Sequence, residues 1–135
     1  MTAPFQVYFP GKKKVDVKFK DFWIKTDQPE KYDGDNTAPD PFSIFLSSLG
    51  ACAGIFAKSF CDKRNLDTQN MRLELTPYFK KEQAHMEKIE ITLHVNQSFP
   101  EKYIKAIIKA MNGCAVKNQL HPDIDAETRV AYLED

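Results

Sequence analysis

Arginine is scarce in this chain: of its 135 residues only Arg64, Arg72 and Arg129 are arginines, and they form no visible patch. Lysine and arginine together number 19 against 19 acids, so the net charge is zero. Nucleic acid and anionic membranes both attract proteins through a positive field, and neither is expected as a partner. Metal-ligand spacings are missing too. There is no CxxC, HxxxH or HExxH, and His85, His94 and His121 share no short spacing, so no metal centre is expected. Ser43, Ser47, Ser48 and Ser59 lie outside any GxSxG elbow, which argues against a serine hydrolase, and no glycine-rich phosphate loop occurs. The N-terminal stretch has no basic segment leading into an apolar one, as a signal peptide would, so a cytoplasmic protein is expected. The uncharged run from Pro41 to Ala57 falls just short of the roughly 20 residues that cross a bilayer, and it carries three serines and two glycines. It reads as a core helix.

A chain of this length is expected to form one domain, residues 1–135. Val15, Val17 and Phe19 alternate with Lys14, Asp16, Lys18 and Lys20, the period of a strand with one wet face, and "FWIKT" (22–26) reads as its neighbour. The segment from Asp27 to Pro41 collects Pro, Gly, Asp and Asn and reads as a loop. Pro41 suits the first turn of a helix, with Asp40 as its cap. Apolar residues run right round that helix, so it must be covered right round, and a second copy of the chain is the expected cover. Met71, Leu73, Leu75 and Phe79 and then Ile89, Ile91, Leu93 and Val95 alternate with polar residues, predicting an antiparallel hairpin around "KKEQAH". His94, on the polar phase, is expected to be exposed. Ser98 and Glu101 have capping-box spacing ahead of a helix through Tyr103, Ile104, Ile107, Ile108 and Met111, which Gly113 can end in a left-handed conformation. A short helix "CAVKNQL" and a strand from Ile124 to Leu133 close an α+β pattern.

Three cysteines, an odd count with no close pair, point to buried or chemically used thiols and not to a disulfide framework. Cys52 and Cys61 are nine positions apart on one helix, on opposite faces and about 13.5 Å apart along its axis, so they cannot bond to each other there. Cys61 reads as a bystander. Cys52 is flanked by Gly50, Ala51, Ala53 and Gly54, which allow another backbone to come close. Cys114 opens a helix, where free N–H groups favour a thiolate. Two such thiols brought together support peroxide chemistry, in which one sulfur becomes a sulfenic acid and then condenses to a disulfide. The alternative is that both pack as small hydrophobes.

The stretch "PFSIFLSSLGACAG" resembles the helix motif of the osmotically inducible protein C and organic hydroperoxide resistance (OsmC/Ohr) family, and "AMNGCAVKNQL" resembles that family's second cysteine motif. The resemblance implies an OsmC-like fold, with antiparallel sheets wrapped around central apolar helices in an intertwined homodimer. It implies a thiol-dependent redox protein that reduces organic hydroperoxides, with Cys52 peroxidatic and Cys114 resolving. An external dithiol of lipoyl type would recycle it, and no metal or organic cofactor would be needed. Two positions depart from the pattern. The glutamate that directly follows the helix-leading proline in the catalytic branches is Phe42 here, and no arginine precedes Arg64; Lys12, Lys13 and Lys14 are the candidate replacements. Without a guanidinium partner the Cys52 thiol is expected to drift back toward an ordinary or buried value. Phe42 also supports an alternative function, a noncatalytic protein that binds an apolar small molecule in the dimer-interface pocket.

Overall fold

A computed structural model describes residues 3–80 and 85–134. The chain divides into two compact units, the first ending at Leu46 and the second beginning at Ser47.

The first unit holds a three-stranded antiparallel sheet in the order β1–β2–β3, built from β1 (Gln6–Gly11), β2 (Lys14–Phe19) and β3 (Phe22–Thr26). β2 and β3 follow the alternation in the sequence, joined by a two-residue turn in which Phe19 pairs with Phe22 and Lys20 takes a φ of 56°. β1 was not anticipated. It pairs Gln6 with Lys18 and Val7 with Val17, and its register shifts between Tyr8 and Gly11, beside Pro10, which has no N–H to donate. The loop that follows is organised by Asp27, which is 1% exposed. Its carboxylate accepts hydrogen bonds from Gln28 N–H at 2.8 Å, Thr37 N–H at 3.0 Å and Thr37 Oγ1 at 2.6 Å. The positive φ values expected of this composition fall at Asp33 and Asn36. Gly34 is buried so tightly that a Cβ there would lie 1.9 Å from the Gln28 carbonyl oxygen.

Helix α1 (Pro41–Lys63) begins at the expected proline, and Asp40 caps it through hydrogen bonds from the Ser43 hydroxyl at 2.5 Å and from the Phe42 and Ser43 amides. The helix is long and apolar enough to cross a membrane by length and composition alone, and 28% of its most apolar window is buried. All its buried residues, Leu49, Ala53, Ala57, Phe60 and Cys61, fall in the second unit.

That unit contains β4 (Arg72–Phe79), β5 (Met86–Val95) and β6 (Asp125–Tyr132) in the order β4–β5–β6. β4 and β5 are antiparallel as expected, and the connection through residues 81–84 lies outside the described residues. β6 joins β5 in parallel, making the sheet mixed. Parallel pairing requires a crossover, which a 3-10 turn (Glu101–Tyr103) and α2 (Ile104–Asn112) supply. Met86, Ile89, Ile91, Leu93 and Val95 point from β5 into the core, together with Leu49, Ile107 and Met111. Gly50 faces Leu73 of β4, and Phe60 meets Tyr103 edge-on with ring centres 5.8 Å apart.

Three local expectations fail. The Ser98–Glu101 capping box is not formed: the turn starts at Pro100 with no side-chain cap. Gly113 is not left-handed, its φ being −76°, because the chain tightens into a further turn there instead of reversing. His94 is on the polar phase of β5, yet its side chain is only 18% exposed; Nε2 lies 3.4 Å from Glu74 Oε1 and is buried without a hydrogen bond.

Candidate active site

Cys52 lies mid-helix on α1, half-buried, and Cys114 follows α2 at once, 1% exposed. The α2 helix ends with Gly113 N–H bonded to Ala110 O at 3.1 Å and Cys114 N–H bonded to Met111 O at 3.2 Å. A 3-10 turn (Lys117–Gln119) comes next, with Asn118 N–H bonded back to Cys114 O at 3.3 Å. Gly113 permits a close approach. A Cβ there would sit 3.2 Å from Ala110 O and 4.0 Å from the ring of Phe56, one helical turn beyond Cys52. The bare Gly113 thus lets the turn carrying Cys114 lie against α1, whereas of the glycines flanking Cys52, Gly50 faces Leu73 and Gly54 faces open space.

The two sulfurs share a hydrogen bond that polarises them in opposite senses. The Cys114 S–H donates to Cys52 and holds its pKa below the ordinary 9.0, helped by the Val116 and Ala115 amides and opposed by burial. Cys114 moves the other way: burial pushes its thiol up, and donating to Cys52 raises it further. The Lys117 amide, 3.4 Å from Cys114 Sγ, and the Val116 amide work against that rise. The thiolate is therefore favoured on the more accessible sulfur relative to the buried one. This corrects the expectation that Cys52, lacking a guanidinium, would revert to an ordinary thiol. Its donors are two backbone amides and a neighbouring S–H, which carry no residue-type signature. Cys114 was expected to open a helix and have its thiol lowered there; the chain instead forms only a 3-10 turn at Lys117–Gln119, and the thiol is raised.

The remaining candidates have surroundings of their own. Cys61 is fully buried with its pKa raised, burial being the main cause, as suits a packing residue. Lys12 and Lys14 both bind Asp35, at 2.7 and 2.6 Å, and Lys13 is exposed. Phe42 is 44% exposed, tilted against Phe45 with ring centres 5.8 Å apart. Among the described residues no group of three or more His, Cys, Asp or Glu side chains is gathered to hold a metal.

Lys117 was missed in the sequence. It is half-buried, and its Nζ donates to Asn112 Oδ1 at 2.5 Å, which also accepts from Thr128 Oγ1 of β6 at 2.7 Å. Desolvation lowers its pKa, and the Cys114 sulfur pulls it back up. A lysine three positions after a cysteine in a short helix was the available signal.

The fold is shared with several solved structures. A putative osmotic stress induced and detoxification response protein from Psychrobacter arcticus 273-4 matches with a TM-score of 0.82 at 21% identity, over 97% of this chain and 96% of that one. An OsmC-like protein from Mycoplasma pneumoniae matches at 0.79 and 15% identity, over 99% of both chains. An organic hydroperoxide resistance protein from Elizabethkingia anophelis, with thiocyanate bound, matches at 0.65 and 14% identity, over 98% of this chain and 97% of that one. No curated protein matches. The sequence profile of the OsmC-like proteins matches residues 34–129, which span both cysteines. With that match across most of its length, and with both cysteine motifs of the sequence meeting at one hydrogen bond, the chain belongs to the OsmC-like protein family.

Proposed function

We propose that this protein reduces organic hydroperoxides, with Cys52 as the peroxidatic thiolate and Cys114 as the resolving thiol. The carrying observation is the hydrogen bond from the Cys114 S–H to Cys52, reinforced by the Ala115 and Val116 amides, which favours the thiolate on the accessible sulfur. That thiolate attacks the distal oxygen of ROOH. The O–O bond breaks, the alkoxide takes a proton and leaves as ROH, and Cys52 becomes a sulfenic acid. Cys114 gives up its proton and attacks the Cys52 sulfur; the S–O bond breaks, the departing hydroxide takes up a proton and leaves as water, and the disulfide forms. An external dithiol restores both thiols, and the chain itself supplies every group in the peroxide steps. The backbone amides and the Cys114 S–H stand in for the guanidinium and carboxylate of the catalytic branches.

The working form is one OsmC-like domain assembled as a homodimer in the cytoplasm. Ile55 is 58% exposed and Phe56 38% exposed on α1, and Phe5, Phe9, Phe22 and Trp23 are exposed on the first sheet. Apolar surface of that extent calls for a cover. A second copy is the better cover than lipid, because the opposite face of α1 is already buried within its own unit.

One equivalent of tert-butyl hydroperoxide should consume two thiols per reduced chain and yield an intramolecular Cys52–Cys114 bond on intact-mass analysis. Cys52→Ser should abolish the loss, and Cys114→Ser should stop at a sulfenic acid that dimedone traps. Undiminished thiol loss in Cys52→Ser would refute the assignment. The tilted Phe42–Phe45 pair favours a second reading, a binding protein for an apolar small molecule. Slow oxidation, equal at all three cysteines, together with a co-purifying hydrophobic ligand would select it.

A further inference from the structure

The reaction above leaves the protein as a disulfide whose two sulfurs differ in access. Cys52 is half-buried and Cys114 is 1% exposed, so an incoming thiolate reaches Cys52 and the bond breaks with Cys114 leaving. Leaving is faster for a sulfur whose anion is stabilised. Burial works against Cys114 in that role, because a charge is costly in desolvated surroundings.

Lys117 is placed to offset that cost. Its amide N–H lies 3.4 Å from Cys114 Sγ, and its ammonium is held by Asn112 Oδ1 at 2.5 Å, two residues before the cysteine. Thr128 Oγ1 fixes the same oxygen from β6 at 2.7 Å, so the amide that holds the lysine is itself held from a second element. The Cys114 sulfur and the Lys117 ammonium interact electrostatically, and the lysine pKa is lowered first by its own desolvation. Cys52 on α1 is the titratable group that bears on the Cys114 thiol, and Lys117 bears on it through its backbone amide; the Lys117 ammonium in turn feels the charge of the Cys114 sulfur. The charged residues of β6 nearest in sequence to Thr128, Glu127 and Arg129, alternate with it to the other face of the sheet, where they pair with Lys88 and Glu90.

We propose that Lys117, clamped by Asn112 and Thr128, is a positioning residue that stabilises the departing Cys114 thiolate and so directs reducing dithiols to Cys52. The proposal rests on the disulfide of the preceding reading. The external dithiol thiolate attacks Cys52 Sγ, the Cys52–Cys114 bond breaks, and its electron pair goes to Cys114 Sγ, whose charge interacts with the Lys117 ammonium. A mixed disulfide forms on Cys52. The second thiol of the dithiol, as thiolate, then displaces Cys52 as a thiolate and leaves as the cyclic disulfide. The reductant is oxidised by two electrons and the protein is reduced by two.

The test uses the full-length protein, oxidised with diamide so that disulfide formation does not depend on peroxide turnover. Reduction by dithiothreitol is followed by thiol counting from pH 6 to pH 9 in wild type, Lys117→Gln and Lys117→Arg. Glutamine keeps a donor for Asn112 without the charge, which separates electrostatics from packing, and unchanged far-ultraviolet circular dichroism checks the fold. Lys117→Gln should be about tenfold slower near neutral pH, with Lys117→Arg near the wild-type rate. The wild-type to Lys117→Gln ratio cancels the ionisation of the reductant. A folded Lys117→Gln protein within twofold of wild type across the range overturns the proposal, as does an arginine variant as slow as glutamine. If hydroperoxide fails to form the disulfide while diamide succeeds, the peroxidase reading falls and this rate comparison still decides the role of Lys117.

Discussion

The two units are held together by different physics. In the first, the buried residues are Thr26, Asp27 and Gly34, β1 is exposed throughout, and order comes from polar bonds: the Asp27 carboxylate with Gln28 and Thr37, the Thr26 hydroxyl to Val15 O at 2.6 Å, and Lys12 and Lys14 on Asp35. In the second, β5 buries every second residue from Ile89 on, and the core includes Leu49, Ile89, Leu93, Ile107 and Met111. An apolar core responds to lost volume and a polar scaffold to backbone geometry and pH. One chain should therefore show two kinds of sensitivity.

The largest effect is expected in the second unit. Leu93 is 1% exposed toward the end of β5, and Leu93→Ala should lower stability by about 2–5 kcal/mol in urea unfolding, through lost transfer energy and a residual cavity. A loss well under that would mean the core is loose and the contrast overstated. Next is Gly34→Ala, where the new methyl would overlap the Gln28 carbonyl at 1.9 Å. The loop from Asp27 to Asp40 must open, at a cost of about 1–3 kcal/mol. Hydrogen exchange should quicken at the Asn36 amide, which bonds to Gln28 O at 3.0 Å, and leave β5 protected; equal loosening of β5 would erase the contrast.

The smallest effect is set by pH. The Thr37 hydroxyl, and after it the Thr37 and Gln28 amides, hold the Asp27 carboxyl well below its ordinary 3.8. A carboxylate depressed on folding contributes stability that is complete above its unfolded pKa and is lost as pH falls toward the folded one. The difference in melting temperature between wild type and Asp27→Asn should be constant above about pH 5 and close as the pH drops below about 4. A difference that widens in acid would contradict the assigned direction.

How far the fold was legible follows from where period and composition are strong. β2, β4 and β5 alternate cleanly, α2 carries its apolar residues at helical spacing, and Pro41 with Asp40 marks the start of α1, so these elements were readable. β1 was hidden because "QVYFPG" mixes aromatics with a proline and has no regular alternation. The parallel pairing of β6 was hidden because alternation reports which face a side chain takes and not the direction of its neighbour. The cysteine pair was legible as a motif. Its polarity was not, because the Ala115 and Val116 donors are backbone groups and burial of Cys114 is a tertiary fact. His94 showed the right phase and the wrong exposure for the same reason: its neighbours across the strands, Arg72 and Ala131, come from distant parts of the chain.

The parallel strand β6 also bears on how the protein is made. A ribosome delivers the chain from the N-terminus at about 5–20 residues per second. β4 and β5 can pair as soon as both have emerged, whereas the sheet edge that β6 covers stays open until residues 125–132 follow. Thr128, which anchors Asn112 and through it Lys117, belongs to that last segment. Cys52 is synthesised 62 positions ahead of Cys114 and 76 ahead of Thr128. A nascent chain therefore carries an unpartnered Cys52 for several seconds before the groups that polarise the pair exist.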